Sequence, residues 1–142
     1  MEGMLMILSV RRQSVRCPAR FRQYLKCGLK LLSLQRSLAA ASNVIMDGRD
    51  IGTHVLPNAD VKVFLTADAH VRALRRYEEF TAKGINCTLE NVEREVIERD
   101  ERDMNRAIAP LKQAEDAVRV DTSQMNIDEV VNCLRQLILD RI

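Results

Sequence analysis

The sequence predicts an α/β fold, a parallel sheet in three layers, and three observations carry that prediction. After a first helical stretch, short apolar runs and longer segments of helical period follow in the order strand, strand, helix, helix, strand, helix. No hairpin signal joins the strand candidates, so their connections read as the crossovers that parallel strands need. The polar groups best suited to chemistry stand just past the end of a strand candidate, where open α/β sheets bind ligands. At 142 residues the chain is about one domain and can bury an adequate core.

Taken in order, residues 1–28 form a basic segment of unclear structure. Met4–Val10 (M-L-M-I-L-S-V) suits a buried strand or a helix start, and periodicity does not choose. Arg11, Arg12, Arg16, Arg20, Arg22 and Lys26 follow, interrupted by Pro18. From Leu29 to about Ala41 the pattern is helical, with Leu31, Leu34 and Leu38 on one side, until Ser42 and Asn43 end it. Val44, Ile45 and Met46 make a short strand, and Pro57-Asn58 a turn. Val61–Leu65 is a second strand. Asp68 then caps a helix running to about Ala82, which Lys83-Gly84 ends. Thr88 caps the next helix, Leu89 to about Ala107, which Pro110 cannot join. Ala117–Val120 is a third strand. Asn126 and Glu129 have capping-box spacing ahead of an amphipathic closing helix built on Ile127, Val130, Val131, Leu134, Leu137 and Ile138. There is no internal repeat and no low-complexity segment.

The stretch Asn43–Thr53, N-V-I-M-D-G-R-D-I-G-T, organises the rest. A buried strand turns polar at Asp47, bends at Gly48 and presents Arg49 and Asp50. A guanidinium and carboxylates at a strand end form a candidate site; the bland alternative is a surface turn with solvated charges. A second candidate lies on the helix after Thr88. At about 100° per residue from Leu89, Val92 falls at about 300° and Val96 at about 340°, while Arg99, Asp103 and Arg106 fall at about 280°, 320° and 260°. Those charges therefore share the apolar face and point inward, into a cleft. An ordinary i,i+4 surface pair explains Arg99 and Asp103 but not that alignment. Inward charges are costly unless they pair or bind something.

Together Arg49, Arg72, Arg75, Arg76, Arg99 and Arg106 are many fixed cations suited to phosphate oxygens. Asp50 and Asp103 add acceptors for amino or hydroxyl groups. No Ser–His–Asp or Cys–His set is apparent, which fits phosphoryl transfer, where positioning and electrostatics dominate. Asp47 and Asp50 are spaced D-x-x-D, unlike the D-x-D of aspartate-nucleophile phosphatases. His54 and His70 read as surface or packing residues.

Composition narrows the classes further. With 46% hydrophobic and 30% charged residues the chain is globular, and without tryptophan it has few aromatics to stack on bases, which argues against nucleic acid. Cys17, Cys27, Cys87 and Cys133 are scattered and only two histidines are present, which argues against a zinc framework or any metal site and for reduced thiols in a cytoplasmic protein. Residues 1–36 carry a net +7 and the remainder −5. That asymmetry suits either a loosely packed basic tail or an arm for nucleic acid or anionic lipid. No apolar run approaches the roughly 18–20 residues of a membrane span. The arginines follow Met4–Val10 instead of preceding it, unlike a secretory signal.

The motifs D-G-R-D-I-G-T, L-P-N-A-D-V-K-V-F-L-T-A, R-A-L-R-R-Y, E-R-D-E-R-D-M-N-R-A-I-A-P-L and V-D-T-S-Q-M-N-I-D-E-V-V, in that order, closely resemble the bacterial cytidylate kinase family. The resemblance covers Leu29 to Ile142, the carboxyl-terminal two-thirds of such an enzyme. It implies the P-loop nucleoside monophosphate kinase fold, here amino-terminally truncated, and transfer of the γ-phosphoryl group of ATP to CMP or dCMP with Mg²⁺. It further implies that Asp50 contacts cytosine, that Arg99 and Asp103 contact ribose, and that Arg106 helps bind the nucleotide. Arg72, Arg75 and Arg76, with the segment to about Thr88, take the place of the mobile lid, whose arginines stabilise charge in the transition state.

The departures carry weight too. The glycines are Gly3, Gly28, Gly48, Gly52 and Gly84, and none begins the G-x-x-x-x-G-K-[ST] loop with which the family opens. The monophosphate-binding insertion is missing as well, and Gly28 stands where the family has a base-contacting arginine. Two expectations result: a cytidylate kinase remnant of impaired activity, or a non-catalytic binding module on a degenerate kinase fold. Without the loop-bearing strand the sheet would expose edges open to self-association, and Met4–Val10 is the run able to fill the gap.

Overall fold

The computed structural model describes residues 2–8 and 25–141. Most of the basic segment, including Arg11, Arg12, Arg16, Arg20 and Arg22, lies outside the described residues. The elements run β1 (Glu2–Leu8), α1 (Leu25–Ala41), β2 (Ile45–Gly48), a π-helical turn (Ile51–Val55), β3 (Val61–Ala67), α2 (Ala69–Ala82), α3 (Leu89–Met104), β4 (Val118–Asp121) and α4 (Ile127–Leu139). Every helix and strand expected from Leu29 onward is present. Most bounds agree within two residues, but α1 begins four residues earlier, at Leu25, and α3 ends at Met104, three residues short of the expected Ala107.

The strands form one sheet in the order β2-β1-β3-β4. β3 and β4 pair in parallel, Val63 opposite Val118 and Leu65 opposite Val120. β1 is antiparallel to both its neighbours, with Leu5 opposite Gly48 on one side and Phe64 on the other. The sheet is therefore mixed and not parallel throughout. The apolar run Met4–Val10 does enter it, as Glu2–Leu8, bridging β2 and β3 in the direction opposite to both. Antiparallel pairing is at least as stable per residue as parallel pairing, so reversal carries no intrinsic cost.

β3 is the spine. All its residues are buried except half-buried Phe64, the signature of a strand covered on both faces. Its side chains alternate as a strand must: Val61, Val63 and Leu65 cluster with Val120 of β4 and Leu134 of α4, while Phe64 packs on the cluster of Val44, Met46, Ile51 and Val55, which Leu38 of α1 also covers. Lys62 is buried as well, its Nζ donating to Asp116 Oδ1 at 2.8 Å and to the Pro57 carbonyl. Among the described side chains of α1, Gln35 is buried, Leu38 packs on the core and Leu34 stays 54% exposed, so the packed face is rotated about 70° from the expected leucine stripe.

α2 and α3 form a helical hairpin with a small core of its own, Ala73, Val92 and Val96 capped by Tyr77, Phe80 and Leu89. Both helices begin on the expected caps. The Asp68 carboxylate accepts from the amides of His70 and Val71, and Thr88 Oγ1 accepts from Asn91. α2 ends in a Schellman motif: Ile85 N donates to Phe80 O at 2.9 Å and Gly84 N to Thr81 O at 3.0 Å, with Gly84 at φ +70°. The Asn126–Glu129 capping box at α4 forms in both directions.

Candidate functional site

β2, β3 and β4 run in one direction, so their carboxyl ends share one edge of the sheet. Arg49 and Asp50 follow β2 there, and Asp50 is 95% buried. The Asp50 carbonyl accepts from His54 N at 2.8 Å and from Val55 N at 3.2 Å, opening the π-helical turn. Arg36 of α1 closes that turn by donating to the carbonyls of His54 (2.8 Å) and Val55 (3.0 Å). The wide turn lets Ile51, Gly52 and Val55 all face the core, which pins the backbone immediately after Arg49 and Asp50.

Arg49 reaches across to α3. Its Nε donates to Asp103 Oδ2 at 2.9 Å, joining residues far apart in sequence. Arg106 donates to the other oxygen of Asp103, and Arg99 Nε stands 4.0 Å from Oδ2. Three guanidiniums thus share one carboxylate. Asp103 is buried, whereas the side chains of Arg49, Arg106 and Arg99 keep 25%, 32% and 47% exposure. Burial pushes the Asp103 carboxyl up, but the hydrogen bonds from Arg106 and Arg49 more than offset it, and the group titrates below the usual carboxylate range. Arg99 is held below its ordinary value by desolvation first and by repulsion from Arg49 next. The excess of cation over anion, facing solvent on one side, suits a phosphate or another small anion with hydroxyl acceptors beside it.

A second carboxylate on α3 is arranged differently. Asp100, 94% buried, takes the fork of Arg72: Nη1 to Oδ1 at 3.1 Å and Nη2 to Oδ2 at 2.6 Å. Arg72 Nε also donates to the Ala67 carbonyl at 3.0 Å, so the pair ties the first turn of α2 and the last turns of α3 to the end of β3. Of the other two arginines on α2, Arg75 donates from Nη2 to the carbonyls of Thr122 (2.7 Å) and Met125 (3.0 Å), and Arg76 lies over the Phe80 ring at 5.1 Å.

The expected constellation of Arg49, Arg99, Asp103 and Arg106 therefore comes together, with two adjustments. Arg99 lies on the rim and does not point inward. Arg106 is beyond the helix, and it reaches Asp103 because the chain turns back at once. Ala109 adopts φ +51° and Leu111 N bonds the Asp103 carbonyl at 2.9 Å. Arg72, Arg75 and Arg76 share α2, but their side chains go to three different partners. His70 bridges to Glu93 at 3.0 Å, and His54 lies exposed in the π-helical turn, consistent with surface and packing roles.

Asp100 was missed, although the signal was there. On the same helical wheel it falls at about 20°, closer to the centre of the Leu89–Val96 stripe than Arg99 or Arg106. A separate cleft of about 380 Å³ lies at the other end of the sheet, between α1 and residues 55–60, and shares no residue with either carboxylate cluster.

Comparison with known proteins shows the family. The family model for cytidylate kinase matches residues 11–140. The cytidylate kinase of Ligilactobacillus salivarius is 55% identical over 107 residues, 75% of this chain and 48% of that protein. That of Alkaliphilus metalliredigens is 56% identical over 101 residues (71% and 46%), and that of a Geobacillus species 47% identical over 113 residues (80% and 50%). The chain spans about half the length of the curated relatives it matches. It belongs to the cytidylate kinase family.

Proposed function

We propose that this member of the cytidylate kinase family carries the nucleoside-monophosphate side of a kinase that transfers the γ-phosphoryl group of ATP to CMP or dCMP. The observation that carries the reading is the sharing of Asp103 by Arg49, Arg99 and Arg106 at the carboxyl edge of the sheet. In it, Asp103 and Arg99 hold the sugar hydroxyls, Arg49 and Arg106 face the monophosphate, and Asp50 addresses the base. The segment from Arg72 to about Thr88, on the α2–α3 hairpin, is the lid, and its arginines meet the charge that develops during transfer.

The ATP side is another matter. The 142 residues contain no G-x-x-x-x-G-K-[ST] loop to cradle the β- and γ-phosphates. Transfer by these residues alone is therefore expected to be severely impaired even where CMP binds. Among the described residues no group of three or more His, Cys, Asp or Glu side chains converges as a metal cage. Magnesium, which the family implies, would come with the nucleotide phosphates. No described helix is long and apolar enough to cross a membrane, and the reading places the chain in the cytoplasm.

The test is isothermal titration with CMP and then with ATP–Mg²⁺. CMP binding that disappears in Asp103→Ala, with little or no ATP binding, supports the reading. A folded chain that binds neither nucleotide overturns it and favours a non-catalytic module on the kinase fold.

A further inference from the structure

The three arginines of α2 are not equivalent, and what separates them is Asp100. Arg72 gives three N–H groups to fixed partners, two of them in a fork on a buried carboxylate. A planar guanidinium held at both terminal nitrogens and at Nε has its orientation set by the protein and its charge matched by Asp100. Among the described residues Arg75 bonds only uncharged acceptors, from one nitrogen to two carbonyls of the β4–α4 connection, and its residue is exposed. Arg76 rests on an aromatic face. A phosphate or carboxylate adds Coulombic attraction that an uncharged carbonyl lacks, so an arriving phosphate outcompetes the carbonyls for Arg75, whereas Arg72 already holds a carboxylate.

We infer that Asp100 is a positioning residue that reserves Arg72 as the anchor of the α2–α3 hairpin and leaves Arg75 as the movable cation, parked on the Thr122 and Met125 carbonyls until an anion draws it away. The hairpin then pivots about the Arg72–Asp100–Ala67 junction. Its own core of Ala73, Val92 and Val96 keeps the two helices together while it does so. The functional side of this inference rests on the hairpin bearing the lid, as proposed above; the anchoring side rests on geometry alone.

The experiment combines hydrogen exchange across residues 69–104 with titration of inorganic pyrophosphate in the presence of CMP. The variants are Arg72→Lys, Arg75→Gln, Asp100→Asn and the double variant Arg72→Gln/Asp100→Asn. Lysine keeps the charge but not the fork. Arg72→Lys and Asp100→Asn should therefore each speed exchange in the first turn of α2 at least about tenfold, and the double variant should add little to either. Arg75→Gln should leave exchange unchanged and lower pyrophosphate affinity about tenfold. Arg72→Lys should lower pyrophosphate affinity less than Arg75→Gln does. The inference is overturned if Arg72→Lys exchanges like the wild type, or if Arg72→Lys weakens pyrophosphate as much as Arg75→Gln does. If the wild-type chain binds neither CMP nor pyrophosphate, the proposed function fails separately, and the exchange data still decide whether Asp100 anchors Arg72.

Discussion

Asp100 and Asp103 lie less than one turn apart on α3, both buried and both bound by arginine, yet they form opposite kinds of site. Asp100 takes one guanidinium through both oxygens, and its side chain and that of Arg72 are 9% and 23% exposed. Asp103 takes two guanidiniums at bonding distance and a third at 4.0 Å, all three reaching further into water. The first arrangement is closed: charge is matched and geometry is fixed. The second is over-supplied with cation on its solvent side, three guanidiniums to the one carboxylate they share. Stoichiometry of charge, more than burial, separates structural from binding ion pairs here.

Neutralising each carboxylate tests that distinction, and the largest effect is expected at Asp100. Asp100→Asn removes the carboxylate of a largely buried ion pair, and breaking such a pair costs about 3–5 kcal/mol. The remaining water access of Arg72 and its bond to the Ala67 carbonyl put the expected loss near the lower end, about 3 kcal/mol. Asp103→Asn frees guanidiniums that can hydrate at once, so about 1 kcal/mol is expected, while CMP binding disappears. Urea unfolding and CMP titration of both variants check this crossing of effects. Equal losses of stability and of affinity in the two would erase the distinction.

The second expectation is an acid limb that belongs to Asp103. Its carboxyl is buried, which raises the pKa, but hydrogen bonds from Arg106 and Arg49 bring it below the ordinary value. A depressed folded-state pKa means the carboxylate contributes stability above its unfolded value, about 3.9, and loses that contribution as pH falls through the lower folded value. Wild-type stability should therefore fall below about pH 4 more steeply than that of Asp103→Asn, and the gap between them should close in acid. Asp116, lowered chiefly by its hydrogen bond from Lys62, titrates the same way in both proteins and serves as an internal reference. Urea midpoints across the acid range provide the measurement. Parallel profiles would mean that Asp103 gains nothing from its arginines.

How much of this was legible beforehand follows from which forces set each feature. Elements fixed by local chemistry were readable: the Asp68 and Thr88 caps, the Asn126–Glu129 box, the Lys83-Gly84 stop and the strand at Val61–Leu65 all formed as read. The Asp103 cluster was readable in part because Arg99 and Asp103 lie on one helix, whose period gives relative direction. What failed to show depended on partners far along the chain. The Arg72 fork needs Asp100, twenty-eight residues away, at the foot of an antiparallel hairpin. The antiparallel direction of β1 depends on how residues outside its own pattern return it to the sheet. The π-helical turn after Asp50 is selected by the burial of Ile51 and Val55 together with the Arg36 bonds to its end, and neither has a sequence period. Arg106 was grouped with Asp103 on a helical face that it does not share, because the helix ends before it.

The smallest expected effect probes the far end of the same hairpin. Gly84 closes α2 at φ +70°, and a Cβ built there meets nothing within 4 Å. Alanine at this position therefore clashes with no neighbour, and its whole cost is backbone: about 1–2 kcal/mol for holding an L-residue in the left-handed region. Part of that is returned, about 0.4–1 kcal/mol, because alanine restricts the unfolded chain more than glycine does. Gly84→Ala should thus lose about 1 kcal/mol, add to Asp100→Asn without coupling, and leave CMP affinity unchanged. Its value lies in location. The tip and the foot of the hairpin belong to one packed unit, but only the foot touches the Asp103 cluster. If loosening the tip weakens CMP as neutralising Asp103 does, strain travels the length of the hairpin, and the two carboxylates cannot be treated as separate devices.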